Sequence, residues 1–198
     1  MNEYCEENLD SKKIVVEDIP RNDFKLIHEN TVIFTVDAAV YYNQGIVLLR
    51  RSNEPAKGTF WTPGGRVKKG VPIVESVREK VAVECGLGLS GLLLKIGEGR
   101  MFFKNDPFGH GKGTDTYGLI YLGIGKGRIS LDGAHDDYKA VGPTEYSENF
   151  RRELHPFIRD HLDIVMEFIE SANRSNIPFE RYFNELLIPQ SREQDILK

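Results

Sequence analysis

The sequence predicts an α/β (α+β) fold, in which helices pack on a mixed β-sheet. Many short strand-like segments flank one helix pattern in the first 143 residues, and the pattern from residue 144 onward is helical. The length of 198 residues suits one domain with terminal additions, since domains usually hold about 100–200 residues. We therefore predict a polar N-terminal tail at residues 1–13 and a single domain at residues 14–143. C-terminal helices at residues 144–198 would pack on the domain or at a dimer interface.

The first third of the chain is predicted to form strands joined by tight turns. A turn at residues 20–22 separates two short strands, and a turn at residues 43–45 joins two longer apolar segments into a hairpin. A loop at residues 52–58 precedes one more short strand. The predicted strands are residues 13–19, 23–27, 31–42, 46–51 and 59–63.

One helix is predicted after the glycine pair Gly64 and Gly65. Pro72 begins the helix, at a favoured first-turn position, and Gly86 ends it as a C-terminal cap. The residues predicted to form its buried face, at the spacing i, i+3 and i+7, are Val74, Val77 and Val81.

The rest of the domain is predicted to return to strands before the helical C-terminal region. Strands near residues 92–103 and 115–125 are joined by a glycine-rich loop, and a final short strand lies around residues 136–141. A last short helix is predicted at residues 179–187. The apolar stripe of the long helix before it consists of Ile158, Leu162, Val165, Met166 and Ile169.

Charge and composition exclude several classes of partner. The formal net charge of -4 gives no long-range attraction to nucleic acid or to anionic membranes, so any phosphate site must be local. Cys5 and Cys85 are too few and too far apart for a disulfide framework or a zinc site. No stretch resembles a signal peptide or approaches the roughly 20 apolar residues of a membrane span. The sequence therefore predicts a cytoplasmic protein.

A loop–helix–loop segment resembles the Nudix box, the divalent-metal site of Nudix hydrolases. The segment "PGGRV" at residues 63–67 is followed by a helix and by "ECGL" at residues 84–87, at the length of the usual box. Its contents differ from the usual pattern. The residues that replace the usual Glu, the usual Arg-Glu pair and the first of two closing acids are Val71, Glu79, Lys80 and Val83. Only Glu84 matches an acid of the box.

A similarly altered box occurs in the GDP-mannose mannosyl hydrolases, and the resemblance to that family extends beyond the box. It is carried in the same order by "IPRNDF" at residues 19–24, "RRSNEPAKGTFWTPGGRV" at residues 50–67 and "AHDDYKAV" at residues 134–141. The resemblance implies the Nudix α/β/α sandwich, a homodimer, and a nucleotide-sugar substrate. It also implies one Mg²⁺, or Mn²⁺ in its place, and attack of water on the sugar carbon.

The resemblance assigns a role to seven residues of this chain. Glu84 and the carbonyl of Gly64 would bind the metal, and His135 would be the general base, because imidazole can accept a proton at neutral pH. Arginines grip phosphate oxygens with two parallel donors. The residues that would bind the diphosphate or lie near the sugar and phosphates are Arg51, Arg66, Asp37 and Tyr117.

Departures from the family pattern leave alternatives open. Ala134 stands where the family has a metal-binding Gln, and Arg78 lies one residue before the position of a family arginine, about 100° away around the helix. Asp136 and Asp137 either orient His135 or are turn residues. One alternative function is a Nudix pyrophosphatase acting at phosphorus, and another is a catalytically silent Nudix module that binds a nucleotide or a protein partner.

Overall fold

The computed structural model describes residue 3 and residues 11–16 and 18–195. Most of the predicted tail at residues 1–13 therefore lies outside the described residues. The helices are α1 (Arg21–Asn30), α2 (Ile73–Cys85), α3 (Glu148–Glu153), α4 (Pro156–Arg174) and α5 (Phe179–Asp195), with a short 3₁₀ helix at Ser11–Ile14. The strands are β1 (Ile33–Tyr42), β2 (Gly45–Arg51), β3 (Phe60–Trp61), β4 (Gly64–Arg66), β5 (Leu87–Phe103), β6 (Thr114–Gly127) and β7 (His135–Val141).

The strands form one mixed sheet with β1 at its centre. The order is β3-β2-β1-β6-β5, while β4 pairs with β1 and β7 pairs with β2. Strand β1 runs parallel to β6 and antiparallel to β2 and β4, so it contacts three strands. The predicted mixed α/β fold and the predicted hairpin of β1 and β2 are confirmed.

Helices cover both faces of this sheet. Successive side chains of a strand point to opposite faces, and in β1 the side chains of Val36, Ala38 and Val40 pack with α2. Ala39 and Tyr41 face the other way and pack with α4 and α5. The molecule is therefore an α/β/α sandwich with two apolar cores, one on each side of the sheet.

Helix α1 corrects the prediction of two short strands near the N-terminus. Residues 11–14 form the 3₁₀ helix, and residues 21–30 form α1. A strand would place Phe24 and Leu26 on the same face, but Leu26 is 60% exposed. Phe24 instead shares a helix face with His28, four residues on, and both contact Phe108. These contacts with a distant loop stabilise a helix that the local sequence did not distinguish from a strand.

The buried face of α2 differs by one residue from the predicted face. Val77 and Val81 are buried as expected, but Val74 is 40% exposed, and Ile73 and Cys85 complete the face instead. These four buried residues recur every fourth position, which keeps them in one stripe along the helix. The predicted end of the helix is confirmed, since Gly86 caps it with a left-handed backbone at φ 70°. The helix starts at Ile73, one residue later than predicted, because Pro72 is its N-cap and has a non-helical backbone.

The apolar stripe of α4 is buried against the sheet, as predicted. Its five residues belong to the same core cluster as buried side chains of β1, β2 and β6. Phe157 of α4 stacks on Trp61 of β3, with ring centroids 6.2 Å apart. Helix α5 continues to Asp195, beyond the predicted end at residue 187. Within the described residues, no helix combines the length and apolar character needed to cross a membrane.

Candidate active site

A cavity of about 310 Å³ opens on the α4 side of the sheet, beside β1 and β4. Asp37, Arg51 and Arg66 give its wall three charged or ionisable groups. Aromatic side chains form much of the rest of the wall, among them Phe24, Trp61, Phe103 and Phe108. A concave site that combines aromatic walls with a few convergent polar groups is typical of small-molecule binding.

Asp37 is a buried carboxyl group in the wall of this cavity. It is 4% exposed, and its Oδ1 accepts hydrogen bonds from Trp61 Nε1 at 2.8 Å and from Thr62 Oγ1 at 3.3 Å. Burial raises the pKa of Asp37 to about 6, against the lowering effects of these two hydrogen bonds and of the Arg51 charge. A strongly perturbed acid in a cleft is a candidate functional group.

The raised pKa of Asp37 predicts how the stability of the protein depends on pH. In the unfolded chain this carboxyl ionises near its ordinary value of 3.8, but in the folded chain it keeps its proton until pH is about 6. Its contribution to stability is therefore fully present below pH about 4 and is lost as pH rises through about 6. We expect the free energy of unfolding of Asp37→Asn, measured by urea denaturation, to fall less than that of the unmodified protein between pH 4 and 6.5. Equal slopes for the two proteins would contradict the burial of this group.

The two predicted phosphate-binding arginines lie in the wall of the same cavity. Arg51 ends β2, and its Nε donates to the carbonyl oxygen of Pro55 at 2.8 Å. Burial lowers the pKa of Arg51, and the charges of Glu84 and Asp37 act in the opposite direction. Arg66 ends β4, with its guanidinium carbon 5.0 Å from the centre of the Phe24 ring. Two cations thus flank one cavity from two strands that both pair with β1.

Glu84 and Gly64, the predicted metal ligands, are in direct contact although 20 residues separate them in sequence. The backbone N–H of Gly64 donates to Glu84 Oε2 at 2.9 Å. Burial raises the pKa of Glu84 to about 7, while this hydrogen bond and the charge of Lys80 lower it. Gly64 has no room for a side chain, because a Cβ there would lie 2.6 Å from Asp37 Oδ1. Among the described residues, no three or more His, Cys, Asp or Glu side chains are grouped to hold a metal ion.

His135, the predicted base, is held by a carboxylate at one ring nitrogen. Its Nδ1 lies 2.8 Å from Asp132 Oδ1, and its Nε2 lies 4.0 Å from Glu84 Oε2. A carboxylate beside Nδ1 keeps the proton on that atom and leaves Nε2 free to accept another. His135 is 8% exposed and pairs with Arg51 between β7 and β2. His135 and Glu84 adjoin the cavity through Arg51 and Gly64 and are not themselves part of its wall.

Asp132 takes the orienting role for which the sequence offered Asp136 and Asp137. Asp136 instead pairs with Arg50 at 2.7 Å on the surface, and Asp137 accepts the N–H of Tyr138. Sequence reasoning missed Asp132, which lies three residues before His135 in the turn that leads into β7. The available sequence signal was an acidic residue three positions before the candidate base.

Two other sequence candidates have partners outside the cavity. Tyr117 stacks on Phe34, with ring centroids 6.4 Å apart, on the α2 side of the sheet. Its neighbour Thr116 points the other way and lines the cavity. Arg78 donates to two carbonyl oxygens of β5, which stabilises the start of that strand. Neither side chain is brought to the cavity.

Two threonines of the cavity wall were missed by sequence reasoning. Thr35 and Thr116 line the cavity, on the adjacent strands β1 and β6. Their Oγ1 atoms are buried and have no hydrogen-bond partner among the described residues, as is also true of Ser76 Oγ on α2, outside the cavity. Because these oxygens have almost no accessible surface, they do not identify a ligand. Threonine is common in strands, and nothing in the local sequence marks these two.

The chain is similar to known proteins in part of its sequence and in its fold. No protein-family profile matches the chain. The low-salt glycan biosynthesis protein Agl8 of Haloferax volcanii is 23% identical over 151 residues, which are 74% of this chain and 90% of that protein. The MutT Nudix hydrolase of Burkholderia pseudomallei superposes with a TM-score of 0.55 and 18% identity, over 68% of this chain and 98% of that one.

A second similar structure contains both a nucleotide and a metal. It is a bifunctional NMN adenylyltransferase/ADP-ribose pyrophosphatase of Francisella tularensis, in complex with AMP and a Mn ion. It superposes with a TM-score of 0.50 and 19% identity, over 71% of this chain and 42% of that chain. At these identities the likenesses show the fold, which is that of the Nudix hydrolases.

Proposed function

We propose that this Nudix-fold chain is a Mg²⁺-dependent hydrolase of nucleotide-sugars that resemble GDP-mannose. Water would attack C1 of the sugar, so that GDP leaves and the free sugar is released. The family resemblance of the sequence motivates this proposal, and the contents of the cavity support it. The name of the relative Agl8 places that protein in glycan biosynthesis, a process in which nucleotide-sugars are ordinary substrates.

The two arginines in the wall of one cavity are the observation that carries the proposal. Arg51 and Arg66 supply cationic donors suited to the oxygens of a diphosphate. Asp37 lies in the same wall, on β1, and offers a polar group to a sugar hydroxyl. Aromatic side chains such as Trp61 and Phe108 line much of the rest. These contents support a nucleotide-sugar as the ligand.

His135 would act on the attacking water, and the two arginines would act on the leaving diphosphate. His135 Nε2 takes the proton of the attacking water, since Asp132 holds the other ring proton on Nδ1. Arg51 and Arg66 stabilise the negative charge that develops on the departing diphosphate. Attack at carbon leaves both phosphorus atoms in the nucleoside diphosphate, so the protein needs no second group to activate phosphorus.

The donors near Glu84 fit a hard cation that keeps most of its water. Glu84 and the Gly64 carbonyl offer oxygen atoms, the ligands that Mg²⁺ prefers, and Mg²⁺ is commonly bound through one or two carboxylates plus substrate phosphates. Mn²⁺ accepts the same oxygen donors. A cation bound there would supply positive charge to the leaving diphosphate. A cation bound there would favour the ionised carboxylate and so oppose the burial that raises the pKa of Glu84.

The proposal predicts where oxygen from water appears in the products. A panel of nucleotide-sugars would be incubated with Mg²⁺ in ¹⁸O-water, and the products analysed by mass spectrometry. With a GDP-hexose, we expect the label on the C1 hydroxyl of the free sugar and unlabelled GDP. Label in a phosphate-containing product would contradict attack at carbon and support a Nudix pyrophosphatase. Measurable binding without turnover on any member of the panel would support a silent binding module.

A further inference from the structure

His28 of α1 is a buried histidine in the wall of the cavity, and the proposed chemistry does not use it. It is 7% exposed, and its ring contacts Phe24 and Phe108 edge to face. Its Nδ1 lies 2.8 Å from Nε2 of His110, in the glycine-rich loop between β5 and β6. Its Nε2 has no hydrogen-bond partner among the described residues and is not one of their fully buried unpaired atoms, so it keeps accessible surface. Because His28 borders the cavity, this nitrogen is available to a ligand there.

The loop determines which nitrogen of each imidazole carries the proton. The backbone N–H of Lys112 donates to His110 Nδ1 at 3.1 Å, so the proton of His110 lies on Nε2. Because His110 Nε2–H then donates to His28 Nδ1, the proton of His28 lies on its own Nε2. Burial and the charge of His110 lower the pKa of His28, against the effect of Asp106, so this imidazole is neutral at neutral pH. His28 therefore presents an N–H donor to the cavity.

Asp106 holds the loop in the shape that this arrangement needs. Its Oδ1 accepts the backbone N–H groups of Phe108 and His110, and its Oδ2 accepts that of Gly111. Its Oδ2 also lies 3.5 Å from His110 Nδ1, a distance too long to displace the Lys112 N–H from that atom. The side chains of His110 and Asp106 are almost fully buried, at 2% and 5% exposed. The pair of histidines is therefore built into the fold.

His28 and the proposed base His135 lie on opposite sides of the central strand. His135 is on β7, which pairs with β2, whereas α1 contacts β6. Strand β1 lies between β2 and β6. In a nucleotide-sugar the diphosphate separates the sugar from the nucleoside, so a sugar carbon beside His135 would place the nucleobase on the β6 side. The aromatic rings that surround His28 offer the surface on which bases stack.

We propose that His28 is a specificity-determining donor of the cavity, which selects a purine nucleotide with an oxo group at C6 over one with an amino group. This inference rests on the proposed function for the class of ligand and for the position of its base. The Nε2–H of His28 can donate to O6 of guanine or hypoxanthine. The 6-amino group of adenine would instead face it with another N–H and leave a buried donor unpaired, which is costly. His110 is a positioning residue, because it sets the tautomer of His28.

Titration with two nucleotides whose bases differ at C6 tests this selection without any catalysis. The full chain would be titrated by calorimetry with IDP and with ADP, in Mg²⁺ at neutral pH. We expect IDP to bind roughly 10–100-fold more tightly than ADP, the range that corresponds to one unpaired buried donor. His28→Phe keeps an aromatic ring against Phe24 and Phe108 but has no N–H. Its affinity for IDP should fall to that for ADP, whereas a distorted cavity would weaken both ligands.

The tautomer of His28 can be observed directly by ¹⁵N NMR of the imidazole nitrogens in the ligand-free protein. We expect the proton on Nε2. His110→Gln can accept the Lys112 N–H and donate to His28 through its amide, so the tautomer and the preference for IDP should persist. His110→Phe has no donor and should reduce both. His155→Phe is the matched control, because His155 contacts Trp61 outside the cavity wall, and its preference for IDP should be unchanged.

The outcomes distinguish this inference from the proposed function. Equal affinities for IDP and ADP, an unchanged preference in His28→Phe, or a His28 proton on Nδ1 would overturn the role of His28, whether or not nucleotide-sugars are hydrolysed. If IDP is preferred through His28 but no nucleotide-sugar is hydrolysed, the inference stands and the hydrolase proposal fails. Absence of binding of either nucleotide would overturn the two together.

Discussion

His135→Gln is expected to lower kcat for nucleotide-sugar hydrolysis by roughly 10²–10⁴-fold, the usual contribution of a general base. Glutamine can still form hydrogen bonds in the space of the imidazole, but it cannot accept a proton from water at neutral pH. His135 adjoins the cavity without forming its wall, so substrate affinity should change little. Steady-state rates and GDP titrations on the same preparation would separate the two effects. A fall in affinity with unchanged kcat would contradict the role of base.

Two aspartates near His135 provide a test of how the base is positioned and a matched control. Asp136→Asn removes a carboxylate that pairs with Arg50 on the surface, so we expect nearly full activity. Asp132→Asn removes the carboxylate at His135 Nδ1, which leaves the imidazole free to adopt the other tautomer. In catalytic triads, replacement by Asn of the aspartate that orients the base lowers kcat by about 10⁴-fold, so we expect a loss here of roughly 10²–10⁴-fold. A larger loss in Asp136→Asn than in Asp132→Asn would show that the base is positioned differently.

Glu84→Gln is expected to abolish most Mg²⁺-dependent activity while the fold remains intact. Loss of a partner outside the ligand shell already costs about 10–100-fold, so loss of a direct ligand should cost at least roughly 100-fold in kcat/KM. The glutamine side chain can still accept the Gly64 N–H, which preserves the contact between α2 and β4. Removing a buried carboxyl whose pKa is raised to about 7 also removes an ionisable group from the site. Activity as a function of Mg²⁺ concentration measures the effect.

Glu79→Gln is the control for this change on the same helix. Glu79 pairs with Lys68 and is separated from Glu84 by five residues, about 140° around the helix. We expect its dependence on Mg²⁺ to match that of the unmodified protein. Full turnover by Glu84→Gln, or a large loss in Glu79→Gln, would move the metal away from Glu84.

The sequence predicted best those elements whose pattern is set by neighbours along the chain. The stripe of α4 repeats at helical spacing over several turns, and all five of its predicted residues are buried. The turn before β2 has positive φ at Asn43 and Gln44, and asparagine is one of the residue types that adopt such angles most readily. In contrast, α1 depends on Phe24 and His28 meeting Phe108, a contact that no local pattern records.

Residues of the candidate site could be predicted where they belong to a recognisable sequence motif. They could not be predicted where only the fold brings distant residues together. Glu84 and Gly64 belong to one recognisable segment, and the structure joins them by a hydrogen bond. Thr35 and Thr116 come together only through the parallel pairing of β1 and β6, which places both residues in the cavity wall. The partner of His135 was missed because three acids lie within three positions of it, and only the start of β7 decides which one faces the ring.

Trp61 makes helix α4 an integral part of the domain that contains the cavity, rather than an exchangeable module. Its indole N–H binds Asp37 in the cavity, and its ring stacks on Phe157 of α4. A protein truncated after residue 143 would therefore lose the helix that packs on the Trp61 ring, and the indole N–H that binds Asp37 would be less firmly held. We therefore expect the residues at positions 157 and 37 to covary among homologous proteins. Chimeric proteins that carry foreign helices on this sheet should need an aromatic residue at position 157.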